Sequence, residues 1–326
     1  MPRCRASCTL LRTSQWLCVQ RTTLQHYNTD QHRFLPHRTH HLLLNCCCCF
    51  TVQTFSSTAH QMDTSPLKEV QVPPAPGQKH SHTVVFLHGR GDNAPHFCES
   101  LQYSRDSRGR TLSDAFPSFR WVFPQAPSRK PGEWNQWFDV WNVKNFAENE
   151  NLQAEGLREV VPKIRNILAR EANDLDGRWE KIILMGISMG SATSVHTLFN
   201  LDIPSPETRL GAFIGFSGRC PFAGQTLDEM RRTLQVESCP AHGDVLKKTP
   251  MLLEHCANDP LVLVEWGRKQ CEVLRGFGAN VTWREYPDGG HWINSPRGID
   301  DAVAFLTAAL ELEQATNDSE NLGTQG

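Results

Sequence analysis

From residue 81 onward the chain alternates two kinds of apolar pattern. Strand-like runs, most of them short and apolar, fall at 83–87, 120–123, 181–185, 212–216, 251–254 and 281–286. So little polar alternation within a run predicts strands buried on both faces of a parallel sheet. Between them, apolar residues recur every three or four positions. Across 151–172 these are Leu152, Leu157, Val160, Val161, Ile164, Ile167 and Leu168, and 191–199, 264–277 and 299–312 read the same way. That spacing predicts helices with one buried face. Residues 67–72 predict an early edge strand, ended by the Pro-rich turn at 73–77. Strand and helix in alternation predict an α/β fold, a doubly wound and mostly parallel sheet with helices on both faces. No repeat and no linker divides residues 62–313, which are expected to form one domain.

Both ends differ from this body. Residues 1–61 hold six arginines, no lysine and a single acid, Asp30, together with the run Cys46 to Cys49. No apolar face repeats there. The stretch is expected to be a disordered or mispredicted extension before a domain opening near Met62. Its Arg-rich, acid-poor composition also fits a mitochondrial targeting segment, and its clustered cysteines fit acylation. The polar residues 314–326 are expected to fray.

Composition narrows the function classes. The net charge of −2 supplies no basic field for nucleic acid or an anionic membrane. No apolar run reaches the length needed for stable membrane insertion. Of 12 cysteines, the five beyond residue 50 (Cys98, Cys220, Cys239, Cys256 and Cys271) are scattered and lack metal-binding spacing. Free thiols, no metal and a cytoplasmic location are the expectation, with Cys220–Cys239 the one pair weighed as a bridge.

The candidate chemistry lies at strand ends. Gly186-Ile187-Ser188-Met189-Gly190 follows a strand-like run and precedes a helix-like one. G-x-S-x-G between strand and helix is the sharp turn that exposes a nucleophilic serine in the α/β-hydrolase fold. A serine hydroxyl needs a neighbouring base, and in this fold the order is Ser, acid, His. Asp259 follows the run at 251–254, and His291 follows the run ending at Tyr286. Asp244, Asp288 and His255 compete, but none has both the strand-end position and the order. His88-Gly89-Arg90-Gly91-Asp92 closes the run at 83–87, so the backbone N–H groups of Arg90 and Met189 are the candidate oxyanion donors.

The stretches TVVFLHGRGD, WVFPQAP, QWFDVWN, LQAEGLRE, GISMGS, GFSGRCPF, HCANDPLV and YPDGGHW occur in that order. Through them, residues 72–306 resemble the phospholipase/carboxylesterase family, which includes the acyl-protein thioesterases, and are most similar to its fungal branch. The resemblance implies hydrolysis of acyl esters or thioesters without metal or cofactor, with a triad of Ser188, Asp259 and His291. The implied partners are S-acylated proteins or lysophospholipids. It also implies that Trp137 and Phe138 help line an acyl-binding channel, with Asp139 structural. Two departures stand out: Met189 where the family has glutamine, and Cys256 where it often has glycine. The connection 221–249 is long, and Phe222, Leu227, Met230 and Leu234 predict a short lid helix within it. Three alternatives remain at this stage: a lysophospholipase, a short-chain carboxylesterase, or a binding protein that keeps the fold without catalysis.

Overall fold

The computed structural model describes residues 65–129, 134–205, 208–238, 240 and 243–323. The extension 1–61, its cysteine run, Met62 and Cys239 lie outside them.

Seven strands form one sheet in the order β1-β3-β2-β4-β5-β6-β7. They are β1 (Glu69–Val72), β2 (His82–Leu87), β3 (Phe119–Pro124), β4 (Ile182–Ile187), β5 (Ala212–Phe216), β6 (Met251–Cys256) and β7 (Val281–Tyr286). The edge strand β1 runs antiparallel to β3, and the remaining neighbours pair in parallel. Successive residues of a strand face opposite sides of a sheet. Hence Val85, Leu87 and Leu184 enter one core and Val84, Phe86 and Met185 the other. Both faces of the central strands β2, β4, β5 and β6 are dry, which is why these strands read as apolar runs.

The first core is closed by α3 (Gln153–Asn173), α4 (Met189–Phe199) and α7 (Val264–Gly276), the second by α1 (Ala94–Ser100) and α8 (Arg297–Gly323). Two short helices escaped the periodicity reading. Helix α1 begins at Asn93, whose side chain accepts the His96 amide, and α2 (Leu112–Ala115) at a reciprocal Thr111–Asp114 box. Four to seven residues give too little length for a repeat, so their caps define them. Helix α8 runs past the apolar spacing that ended at 312, because nothing before Gly323 breaks it.

The lid expectation for 221–249 is corrected. The segment does form helices, α5 (Leu227–Leu234) and α6 (Asp244–Lys248). However, Met230 and Leu234 are wholly buried in the first core. Arg158 of α3 donates to the Leu234 and Thr233 carbonyls, and Arg165 to those of Glu237 and Ser238. Arg231 in turn donates to Phe199 O at 2.9 Å. These bonds make α5 a fixed layer on α3 and α4. Cys220 is a free, buried thiol.

Candidate active site

The turn between β4 and α4 is set by two glycines. A Cβ on Gly186 would lie 2.5 Å from the Gly190 carbonyl carbon, and one on Gly190 only 2.3 Å from Leu87 O and 2.5 Å from His88 O. The turn therefore closes on itself and presses against the end of β2, leaving no room for a side chain. Between them Ser188 adopts φ 57° and ψ −122°, a strained conformation for a residue with a Cβ. Its own amide donates to Phe216 O of β5 at 2.9 Å, and its carbonyl accepts from Ala192 to start the helix. Strain with such anchoring marks a position held for its side chain.

That side chain meets His291 and, through it, Asp259. Ser188 Oγ lies 2.8 Å from His291 Nε2, and His291 Nδ1 lies 2.7 Å from Asp259 Oδ2. A carboxylate can only accept, so Nδ1 carries the proton and Nε2 presents a lone pair to the serine. Asp259 follows β6 and its side chain is fully buried. Burial alone would raise its pKa, but hydrogen bonds from His255 and His291 and the Leu261 amide hold it well below the usual carboxylate range. Its Oδ1 accepts the amides of Leu261 at 2.9 Å and Val262 at 3.0 Å. The loop carrying His291 is tied back by the Gly290 amide to Asn258 Oδ1 and by the Trp292 indole to Ser104 Oγ.

The competitors separate cleanly. Asp244 opens α6 and lies 3.5 Å from Lys247. The Asp288 side chain is largely exposed. His255 is buried beside Asp259, with Nε2 at 3.3 Å from Oδ2.

The loop after β2 stands directly over the serine: a Cβ on Gly89 would touch Ser188 Cβ at 3.4 Å. Within it the Gly91 amide donates to Asn135 O at 2.8 Å, beside Arg90, whose N–H the sequence nominates as an oxyanion donor. Met189 is the first residue of α4, where N–H groups have no partner within the helix and the dipole favours negative charge. His88 holds the loop's shape. It is buried, with Nδ1 donating to Gly89 O at 2.7 Å and Nε2 accepting the Ala126 amide at 3.1 Å. Burial lowers its pKa, which keeps this tautomer in place. The motif contained His88, but its service to the loop depends on Ala126, far away in sequence.

Trp137 and Phe138 require a correction. Both are completely buried in the first core, and the Trp137 indole donates to His88 O at 2.8 Å. Trp137 packs beneath the loop after β2 and Phe138 against Gly156 of α3 and the Arg219 guanidinium, and neither presents a wall to a substrate. Arg90 adds a second tie, its Nε donating to Gln136 Oε1 at 2.9 Å, and Gln136 passes the contact to Asp139. The exposed apolar side chains of this region are instead Trp134, which stacks on Gly91 and under the Arg90 guanidinium, and Trp141. Leu261 and Leu263, just past Asp259, are exposed as well.

Comparison with known proteins agrees with this architecture. Residues 67–310 match the family model described as Phospholipase/Carboxylesterase. Acyl-protein thioesterase 1 of Gibberella zeae is 29% identical over 248 residues, spanning 73% of this chain and 94% of that protein. Among solved structures, acyl-protein thioesterase 2 of Zea mays is 26% identical with a TM-score of 0.56, covering 75% of this chain and 99% of that one. The carboxylesterase of Bacillus cereus, at 16% identity and a TM-score of 0.54, shares the fold.

Proposed function

The chain belongs to the phospholipase/carboxylesterase family and is a carboxylic ester or thioester hydrolase, and we propose that it works through an acyl-enzyme on Ser188 with an acyl-protein thioesterase-like preference. The observation that carries this is the hydrogen-bonded chain from Ser188 Oγ through His291 to Asp259, at 2.8 and 2.7 Å, built on a strained turn. Ser188 Oγ attacks the acyl carbonyl while His291 Nε2 takes its proton. Asp259 orients the imidazole and stabilises its cation. The carbonyl oxygen becomes an oxyanion between the Met189 and Arg90 N–H groups, an interaction worth about 3 kcal/mol per donor in related chemistry. As the tetrahedral intermediate collapses, the bond to the leaving thiolate or alkoxide breaks and His291 returns the proton to it. Water then attacks the acyl-enzyme, giving a proton to His291, and as the second tetrahedral intermediate collapses the bond to Ser188 Oγ breaks, His291 returns that proton to Oγ, and the acid leaves.

The exposed Trp134, Leu261 and Leu263 beside this site support a substrate with an apolar acyl part. S-acylated proteins and lysophospholipids both carry one. Among the described residues no helix is long and apolar enough to cross a membrane, so the substrate is met without a spanning anchor from these segments. We take the working location as cytoplasmic.

The test is kcat/KM on matched ester and thioester series from acetyl to palmitoyl, using the chain from Met62. Rates that climb with chain length and favour thioesters support the thioesterase reading. A maximum at two to four carbons would favour a short-chain carboxylesterase, and preference for lysolipids a lysophospholipase.

A further inference from the structure

His255 is buried on β6 and has no place in a Ser-His-Asp relay. Its Nε2 lies 2.7 Å from Val262 O and 3.3 Å from Asp259 Oδ2. Both are acceptors, so Nε2 must carry the ring proton, shared between them. Its Nδ1 is buried without a hydrogen-bond partner, enclosed by α7, where a Cβ on Gly267 would lie 2.3 Å from it. The ring cannot turn to use its other nitrogen without losing the first bond and striking the helix. Trp283 of β7 covers one side. The charged groups facing it are Asp259 and, from the paired position on β7, Glu285, which is itself neutralised by Arg268 of α7.

We propose that His255 is a positioning residue for the acid, fixing the Asp259 carboxylate between two histidines so that Oδ2 faces His291 Nδ1. This rests on Ser188, Asp259 and His291 acting as a triad. Two backbone amides hold Oδ1, and among the described residues Oδ2 is met only by the two histidines, His291 and His255. A base that must swing during catalysis is a poor anchor for its own acid, whereas His255 is locked by Val262 and α7. The donor also withdraws charge from Oδ2. It thereby limits how strongly Asp259 stabilises the His291 imidazolium.

The experiment compares His255→Leu with His255→Gln, whose amide reaches the Nε2 position. Rates are counted per serine labelled at the end point of fluorophosphonate titration, so unfolded protein does not enter. In His255→Leu we expect kcat to fall about 10- to 100-fold, the effect of a misplaced reactive group. The acid limb of the pH profile of kcat/KM should move up by about half a unit, because Asp259 regains full charge opposite His291. His255→Gln should restore the limb and most of kcat. Should the leucine variant not fold, His255→Asn, whose shorter amide cannot reach Asp259, carries the same expectation. An unmoved acid limb, or a glutamine variant no better than leucine, would overturn the proposal and leave His255 a packing residue. A chain in which Ser188 takes no label would instead overturn the triad on which the proposal rests.

Discussion

Replacing Gly190 with alanine tests how the turn around Ser188 is built. The added Cβ would stand 2.3 Å from Leu87 O and 2.5 Å from His88 O, about 1 Å inside ordinary contact. Both opposing atoms are backbone, and Leu87 sits in the sheet, paired with Gly186 of β4. No side chain can swing away, so either the turn or the end of β2 must move by about that 1 Å. Overpacking of this kind costs about 1–3 kcal/mol, and the rigid backbone on both sides places the expectation at the upper end. For a domain of this size that is a fall in Tm of roughly 6–12 °C at 3 kcal/mol. The same displacement separates Arg90 N–H from Met189 N–H. A misplacement near 1 Å costs about 100-fold in rate, so kcat/KM should drop by that factor beyond any loss of folded protein. Differential scanning fluorimetry and nitrophenyl ester hydrolysis read the two effects. Gly276→Ala is the control: it lies at the end of α7 with open space around its Cβ, and should raise stability by about 0.5–1 kcal/mol with unchanged kcat/KM. A Gly190→Ala chain with the stability and rate of the unsubstituted one would refute this account of the turn.

Asp259→Asn keeps the volume but offers an amide NH₂ where two histidine N–H groups now point, so His291 should flip its tautomer and lose its lone pair toward Ser188; kcat should fall by about 10⁴, measured on an activated ester. Because Asp259 is held below the unfolded carboxylate value, its ionised form also stabilises the fold above about pH 4, and that contribution should fade as pH falls through the depressed value; thermal melts across acid pH check it. Glu254 has the opposite sign. It is buried on β6 under Gly298 with neither oxygen hydrogen-bonded, and the Tyr286 hydroxyl gives its proton to Asp301 instead. Burial first, then the Asp301 charge, raises its pKa well above the ordinary value. A folded pKa above the unfolded one means stability falls as pH rises past about 4.3, so Glu254→Gln should gain Tm over the unsubstituted chain progressively from pH 5 to pH 8. A constant difference would contradict the placement of a titrating group there.

The sheet was readable because β2, β4, β5 and β6 are buried on both faces, which leaves long apolar runs in the sequence. Ser188, Asp259 and His291 could be named together because each follows a strand that the pattern already marked. Other features needed the third dimension. Helix α1 is announced only by Asn93 and Pro95, which a periodicity search passes over. The four aromatic residues from Trp134 to Trp141 look alike in sequence, yet Trp137 and Phe138 are sealed in the core while Trp134 and Trp141 face solvent. Trp137 is fixed by the His88 carbonyl, a partner 49 residues away, and Phe138 by Gly156 of α3 and Arg219. His255 was legible as a candidate, but its tie to Asp259 follows from where Val262 and α7 confine the ring. Helix α5 was foreseen, while the arginines of α3 that fasten it were not, because an Arg-to-carbonyl bond leaves no pattern in the chain.

Everything proposed for this site depends on Ser188 being the activated nucleophile. Labelling with a fluorophosphonate probe, followed by mass spectrometry of the adduct, tests it most directly. One adduct is expected, on Ser188, formed rapidly, slowed at least about 10³-fold in His291→Ala and absent in Ser188→Ala, with hydrolysis lost in parallel. A label on another residue, or ester hydrolysis that survives in Ser188→Ala, would contradict it.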